Sequence, residues 1–172
     1  MDPGHVEYCY LCNNVAHRIT EHREAVWLTR KVMINDEFYR CSSCGEAFYD
    51  GFMAQEHDRR IAAAIRTEDG LLQPEEVRAI RTAYGLSQSG LETLIGSGEK
   101  TVVRWERGSV AQNATADTLL RVVRDHPEVV ARLAEERGVR VRLPVKAPEP
   151  SDHPSVDERR DGRDVGDVRH AA

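Results

Sequence analysis

Four cysteines stand in two pairs, Cys9-x-x-Cys12 and Cys41-x-x-Cys44. Each CxxC pair can fold into a tight knuckle whose two thiolates bind one metal ion. Two knuckles complete a tetrahedral set with no open position. The spacing therefore points to a structural zinc ion and not to a catalytic one. Disulfides or free thiols are the competing uses of the same residues, and His5, His17, His22 and His57 could each stand in for one ligand. A thioredoxin-like redox role would need one pair beside a βαβ unit, which the chain does not show. A zinc deaminase carries His-x-Glu followed by Pro-Cys-x-x-Cys. His22-Arg23-Glu24 meets this only superficially, because Arg40 and not proline precedes Cys41. No nucleophile, carboxylate pair or open metal position emerges, so no enzyme is expected.

A second set of functional side chains lies in Gly85–Gly108, GLSQSGLETLIGSGEKTVVRWERG. Ser87 is an N-cap residue type, and a short helix Gln88–Leu94 can follow it. Gly96-Ser97-Gly98 breaks that helix, and a second is expected from Glu99 to Arg107, stopped by Gly108. On this second helix Val102 and Trp105 share an apolar side. Lys100, Arg104 and Arg107 share a cationic one. Long donors on an exposed helix face suit phosphates and the guanine edge in the major groove. An ordinary amphipathic helix with a solvated basic face is the plainer alternative, but the preceding helix and glycine turn favour a helix-turn-helix.

The surrounding chain must position these two sets. Ala25–Ile34 alternates well enough for a strand, with Val26, Leu28, Val32 and Ile34 on one face. Asn35-Asp36-Glu37 reads as a turn, and Phe38-Tyr39 as the start of a second strand leading to Cys41. So small a hairpin has little core, and metal binding would supply much of its folding free energy. A helix is expected over 52–66, with Phe52, Ile61, Ala62 and Ile65 as its apolar stripe, and a hinge at Thr67–Gly70. Pro74 opens the next helix. Thr115 reads as the cap of a helix running to Asp125, and Pro127 starts a last one ending at Gly138. Leu119, Leu120, Val122, Val123, Val129, Val130 and Leu133 exceed the needs of one small bundle; they serve its core or a homodimer interface. From Arg140 the hydrophobic content falls and the chain reads as disordered.

The fold class is therefore α+β. A zinc-bound β-hairpin and helix occupy 1–68, an all-α five-helix domain occupies 71–138, and a tail occupies 139–172. The net charge of −5 is low for a DNA binder, so binding would rest on a local basic face and on two copies. Residues 1–70 hold 8 Lys/Arg against 12 Asp/Glu, which suits a basic protein partner or is simply solvated surface. No apolar run is long enough to cross a membrane. The polar N-terminus is unlike a secretory signal, so a cytoplasmic location is expected.

GLSQ (Gly85–Gln88) and RWERG (Arg104–Gly108), with the turn between them, resemble the Xre/Cro-repressor class of helix-turn-helix. The resemblance implies that Gln88 holds the DNA backbone at a helix N-terminus and that Glu99, Lys100 and Arg104 face the bases; Ser87, Thr101 and Arg107 complete the expected DNA-binding set. It also implies a structural ion pair between Arg81 and Glu106.

The two CxxC knuckles, YRCSSCGEAF (Tyr39–Phe48), FMAQ (Phe52–Gln55) and TLLRVVRDHPEVV (Thr118–Val130) together resemble the MqsA (YgiT-type) antitoxin family over about residues 9–137. The resemblance implies an antitoxin whose zinc domain neutralises a small basic ribonuclease toxin. Its C-terminal domain would dimerise on a palindromic operator in its own promoter. The other reading is a stand-alone transcription regulator with a purely structural zinc domain.

Overall fold

In the computed structural model, which describes residues 7–143, two long strands dominate the first half. They are β2 (Val15–Trp27) and β3 (Arg30–Cys41). They pair antiparallel over their whole length, from Trp27↔Arg30 to Ala16↔Cys41. Short strands β1 (Glu7–Tyr8) and β4 (Ala47–Phe48) flank them, giving the order β1-β2-β3-β4. Six helices follow: α1 (Gly51–Asp69), α2 (Pro74–Ala83), α3 (Gln88–Ile95), α4 (Thr101–Glu106), α5 (Ala114–Asp125) and α6 (Pro127–Arg137). The α+β class and the order sheet first, helices after, are as the sequence indicates.

The hairpin turn is not where Asn35-Asp36-Glu37 suggested. It falls at Leu28-Thr29, with Leu28 at φ 55 and 87% exposed. Asn and Asp favour turns where their side chains bond the local backbone or face solvent. Here Asp36 lies inside β3 and is fully buried, bonded to Tyr49, His57 and Arg23. The strand faces shift accordingly: Ala25, Val32, Ile34 and Phe38 are buried, while Val26 and Leu28 are exposed.

Helix α1 covers the sheet. Asp50 caps it by accepting the Met53 amide at 2.7 Å. Met53, Ile61, Ala62 and Ile65 are its buried apolar residues, whereas Phe52 is exposed. Ile61 and Ile65 pack with Ala25, Val32, Ile34 and Leu71. The expected hinge is instead helical to Asp69, and Gly70 closes α1 in the left-handed region. The segment after it is pinned: Arg121 donates to the Gly70 carbonyl at 2.8 Å, the Leu72 amide donates to Asp117 at 2.8 Å, and Gln112 donates to the Leu72 carbonyl at 2.7 Å.

Helices α2–α6 enclose a separate core of Leu72, Val77, Ile80, Tyr84, Leu91, Leu94, Val102, Trp105, Leu120, Val123 and Val130. The α5 cap is Asn113, whose side chain accepts the Ala116 amide, and not Thr115. Leu120, Val123 and Val130 are consumed by the core, while Leu119 and Leu133 are only partly buried against it. Residues 139–143, expected to belong to the tail, return to this bundle. Val139 and Val141 pack on the core and the Arg142 amide donates to the Tyr84 carbonyl at 2.9 Å. The remainder of that expected tail, and His5, lie outside the described residues. No helix among the described residues is long and apolar enough to cross a membrane.

Candidate metal centre and nucleic-acid interface

The long register of β2 and β3 brings the two knuckles together. Cys9 and Cys12 leave β1 just before β2 begins, and Cys41 is the last residue of β3. Their Sγ atoms all lie within 4.8 Å of one another. Three contacts are shorter: Cys12–Cys41 at 3.4 Å, and Cys9–Cys44 and Cys12–Cys44 at 3.6 Å each. Four thiolates held tetrahedrally at about 2.3 Å from one ion have sulfurs about 3.8 Å apart, so the set is the right size for a metal ion. The sulfurs are not joined as disulfides.

The electrostatics favour a cation at this point. Hydrogen bonds from the Asn14 side chain and backbone hold the Cys12 thiol down at about 6. A backbone hydrogen bond from Glu46 works to lower Cys44, but burial and the thiols of Cys12, Cys9 and Cys41 push it up to about 12. Four sulfurs this close cannot all carry charge unless a positive ion shares them. Asn14 reaches Cys12 Sγ at 3.5 Å. This contact supports the cluster from outside its four sulfurs, and spacing rules for ligands do not reveal it. Tyr10 donates to Glu46 at 2.6 Å and meets Phe48 edge-on, and Phe48 stacks on Tyr39, so aromatic rings flank the cluster. His17, His22 and His57 are not in the sulfur cluster. His22 bonds Asn35 and His57 bonds Asp36.

The second candidate site is built on α3 and α4. Ser87 caps α3 as expected, accepting the Gly90 amide at 2.9 Å. Gly96 closes α3 in the left-handed region at φ 70. The next helix is shorter than the sequence suggested. Glu99 and Lys100 belong to the turn, and Lys100 is the N-cap at φ 60, with no side-chain cap of its own. Its exposed side chain therefore stands at the entrance of α4 and not along its flank.

Within α4, Val102 and Trp105 are buried and Arg104 is exposed, with Thr101 half-buried. Arg107 is the exposed C-cap, and Gly108 follows at φ 72. Arg104 Nε donates only to the Lys100 carbonyl, at 3.3 Å, among the bonds described.

Two buried carboxylates set the geometry of these helices. Glu106 accepts from Arg81 at 2.5 and 3.1 Å, and from Gln88 at 2.8 Å. The Arg81–Glu106 pair implied by the Xre resemblance is thus formed, and Gln88 is engaged by it. Burial works to raise Glu106, but the hydrogen bonds from Arg81 and Gln88 hold it below the usual carboxylate range. Glu92 is the second: from α3 it accepts the Val102 amide in the first turn of α4 at 3.0 Å. Sequence reasoning missed it. Its only signal is a carboxylate beside Leu91 and Leu94 on an otherwise apolar helix.

The family model described as the antitoxin component of bacterial toxin-antitoxin systems, MqsA, matches residues 8–134. Antitoxin HigA-2 of Vibrio cholerae serotype O1 is 33% identical over 64 residues, which are 37% of this chain and 62% of that protein. The aligned part thus spans about three fifths of the length of that curated relative. The family match takes in both cysteine knuckles and all of α1 to α5, and with it the chain belongs to the MqsA antitoxin family.

Proposed function

We propose that the chain is an antitoxin that neutralises a cognate toxin through its metal-bearing half and represses its own promoter through its helical half. The observation that carries this reading is the union, in one chain, of a closed four-sulfur cluster with an α3–turn–α4 unit. The bound metal is zinc, held by Cys9, Cys12, Cys41 and Cys44 as four thiolates in a closed set. Its role is structural, because four protein ligands leave no position for substrate. Residues 1–68 form the toxin-binding domain and 71–138 the DNA-binding and dimerisation domain.

The DNA-binding set is Ser87, Gln88, Glu99, Lys100, Thr101, Arg104 and Arg107. Ser87 and Gln88 position the N-terminus of α3 on phosphate. Lys100 and Arg104 reach base edges, and Arg107 follows the backbone. Two copies bind a palindromic operator, with half-sites about one helical turn apart. Leu119 and Leu133, half-exposed on α5 and α6, support a homodimer contact.

The test uses the full-length, metal-loaded chain as bait in cells of its native source. The expected result is stoichiometric retention of one small basic protein encoded beside it, together with a footprint on its own promoter. A footprint with nothing retained would instead favour the stand-alone regulator, for which the metal half is only a structural appendage.

A further inference from the structure

Arg66 is an unusual residue in the joint between the two halves. It lies in the last turn of α1 and is only 4% exposed. Its guanidinium does not pair with a carboxylate among the described ion pairs. It donates instead to backbone carbonyls beyond the end of α4, to Gly108 at 3.4 Å and to Val110 at 3.5 Å. Its Nε is buried without a partner. A Cβ at Gly108 would come within 3.4 Å of the guanidinium. Burying an arginine without a hydrogen-bonded carboxylate is costly: burial pushes its pKa down, and the charge of Glu75 offsets this only in part. Such a group persists where the surrounding structure needs it.

Its neighbours make the same connection. Ala111, from the loop after α4, packs against the core that Ala25, Val32 and Ile34 of the hairpin form with Ile61 and Ile65 of α1. The Gly70 and Leu72 backbone is pinned by Arg121, Asp117 and Gln112, as described above. The guanidinium thus bridges the last turn of α1 to the segment just beyond α4.

We infer that Arg66 is a positioning residue through which the metal-bearing sheet controls the placement of α4 and the loop behind it. Helix α1 acts as a rigid strut: whatever loosens the sheet withdraws Arg66 from Gly108 and Val110, and α4 loses its fixed end. This rests on the reading of α4 as the DNA-contacting helix only for its functional consequence; the joint itself does not depend on it.

The test has two readouts on the full-length chain. The first is hydrogen exchange at the amides of Arg107, Gly108 and Ser109, which bond within the end of α4, before and after metal removal by a chelator. Chelation is expected to speed exchange at these three amides while Leu91, inside α3, stays protected. In Arg66→Met they exchange fast from the outset and chelation adds little, and Arg66→Lys recovers part of the protection.

The second readout is affinity for a DNA fragment carrying the chain's own upstream region. Chelation and Arg66→Met each weaken it by about tenfold, within the range usual for coupled sites. Together they weaken it by no more than either alone. Exchange at the α4 end that ignores chelation in the unmodified chain overturns the inference, even if Arg66→Met does not fold. So do additive losses, or simultaneous loss of protection at Leu91. Coupled exchange without binding to any fragment leaves the joint standing and defeats the DNA reading alone.

Discussion

Glu92 Oε1 accepts the Val102 amide at 3.0 Å, so a side chain of one helix completes the first turn of the next. Helix N-termini carry amides with no partner inside the helix, and Lys100 offers no side-chain cap. Val102 is fully buried, so water cannot replace the carboxylate. Glu92→Ala should therefore destabilise α2–α6 by about 1–3 kcal/mol, the cost of an orphaned buried amide. Urea unfolding followed by far-ultraviolet circular dichroism measures this. A loss within about 0.5 kcal/mol, the scatter of ordinary surface changes, would mean that the capping bond contributes nothing.

Arg104 is exposed and its guanidinium touches only the Lys100 carbonyl among the bonds described. Arg104→Ala should leave the melting temperature almost unmoved. It should cost about 1–3 kcal/mol of operator affinity and relax base preference at one position per half-site. Gel-shift titrations against a randomised half-site would reveal both effects. Undiminished affinity would remove α4 from the contact surface.

The four-sulfur cluster has a hydrogen-bonded neighbour. Asn14 touches the Cys12 sulfur at 3.5 Å without being one of the four. Asn14→Ala should weaken metal binding by about 10–100-fold, the usual cost of an outer-shell partner. Cys12→Ser should weaken it further. Competition with a chromogenic chelator orders the two, and elemental analysis of the native chain should return one zinc per chain. Equal affinity of Asn14→Ala and the parent would show that the contact is incidental.

Asp36 predicts an acid limit to the stability of the sheet half. Burial works to raise its pKa, but hydrogen bonds from Tyr49, His57 and Arg23 outweigh it and hold the carboxyl below its ordinary value. A carboxyl depressed in the fold contributes its full stabilisation above the unfolded pKa of about 3.9, and loses it as pH falls through the folded value. Urea midpoints should thus be insensitive to this group near neutrality and fall below about pH 4. Asp36→Asn should be less stable at pH 7 and flatter in acid. A variant that keeps the full acid slope would assign the loss to other carboxylates.

Much of this architecture was legible from short-range chemistry. Ser87, Pro74, Gly96, Gly108 and Gly138 mark helix ends in the sequence because caps and left-handed closures need those residue types. The cysteine spacing points to a cluster because a knuckle is local. The hairpin was misread where tertiary contacts overruled local preference. Asn35-Asp36 carries a strong turn signal, but three partners far away in sequence draw Asp36 inside. The actual turn contains Leu28, which has no turn chemistry at all. The joint was hidden for the same reason: Thr67–Gly70 looks flexible until Arg30 is placed against Glu68 and Asp69 and Arg121 against the Gly70 carbonyl. Glu99 and Lys100 were assigned to a helix because periodicity cannot see that a left-handed N-cap delays its start.

The pairing of Ala16 with Cys41 at the far end of the hairpin has a consequence for how the chain reaches its fold. The turn carries no strong register signal, and a slip of one residue would send every side chain of one strand through to the opposite face. Such a slip would carry Cys41 to the wrong side of the sheet from Cys9 and Cys12, and the four sulfurs would not meet. An ion shared by all four sulfurs would therefore fit the aligned hairpin and not a slipped one, so the cluster at the far end of the sheet would favour the register that begins at Leu28-Thr29.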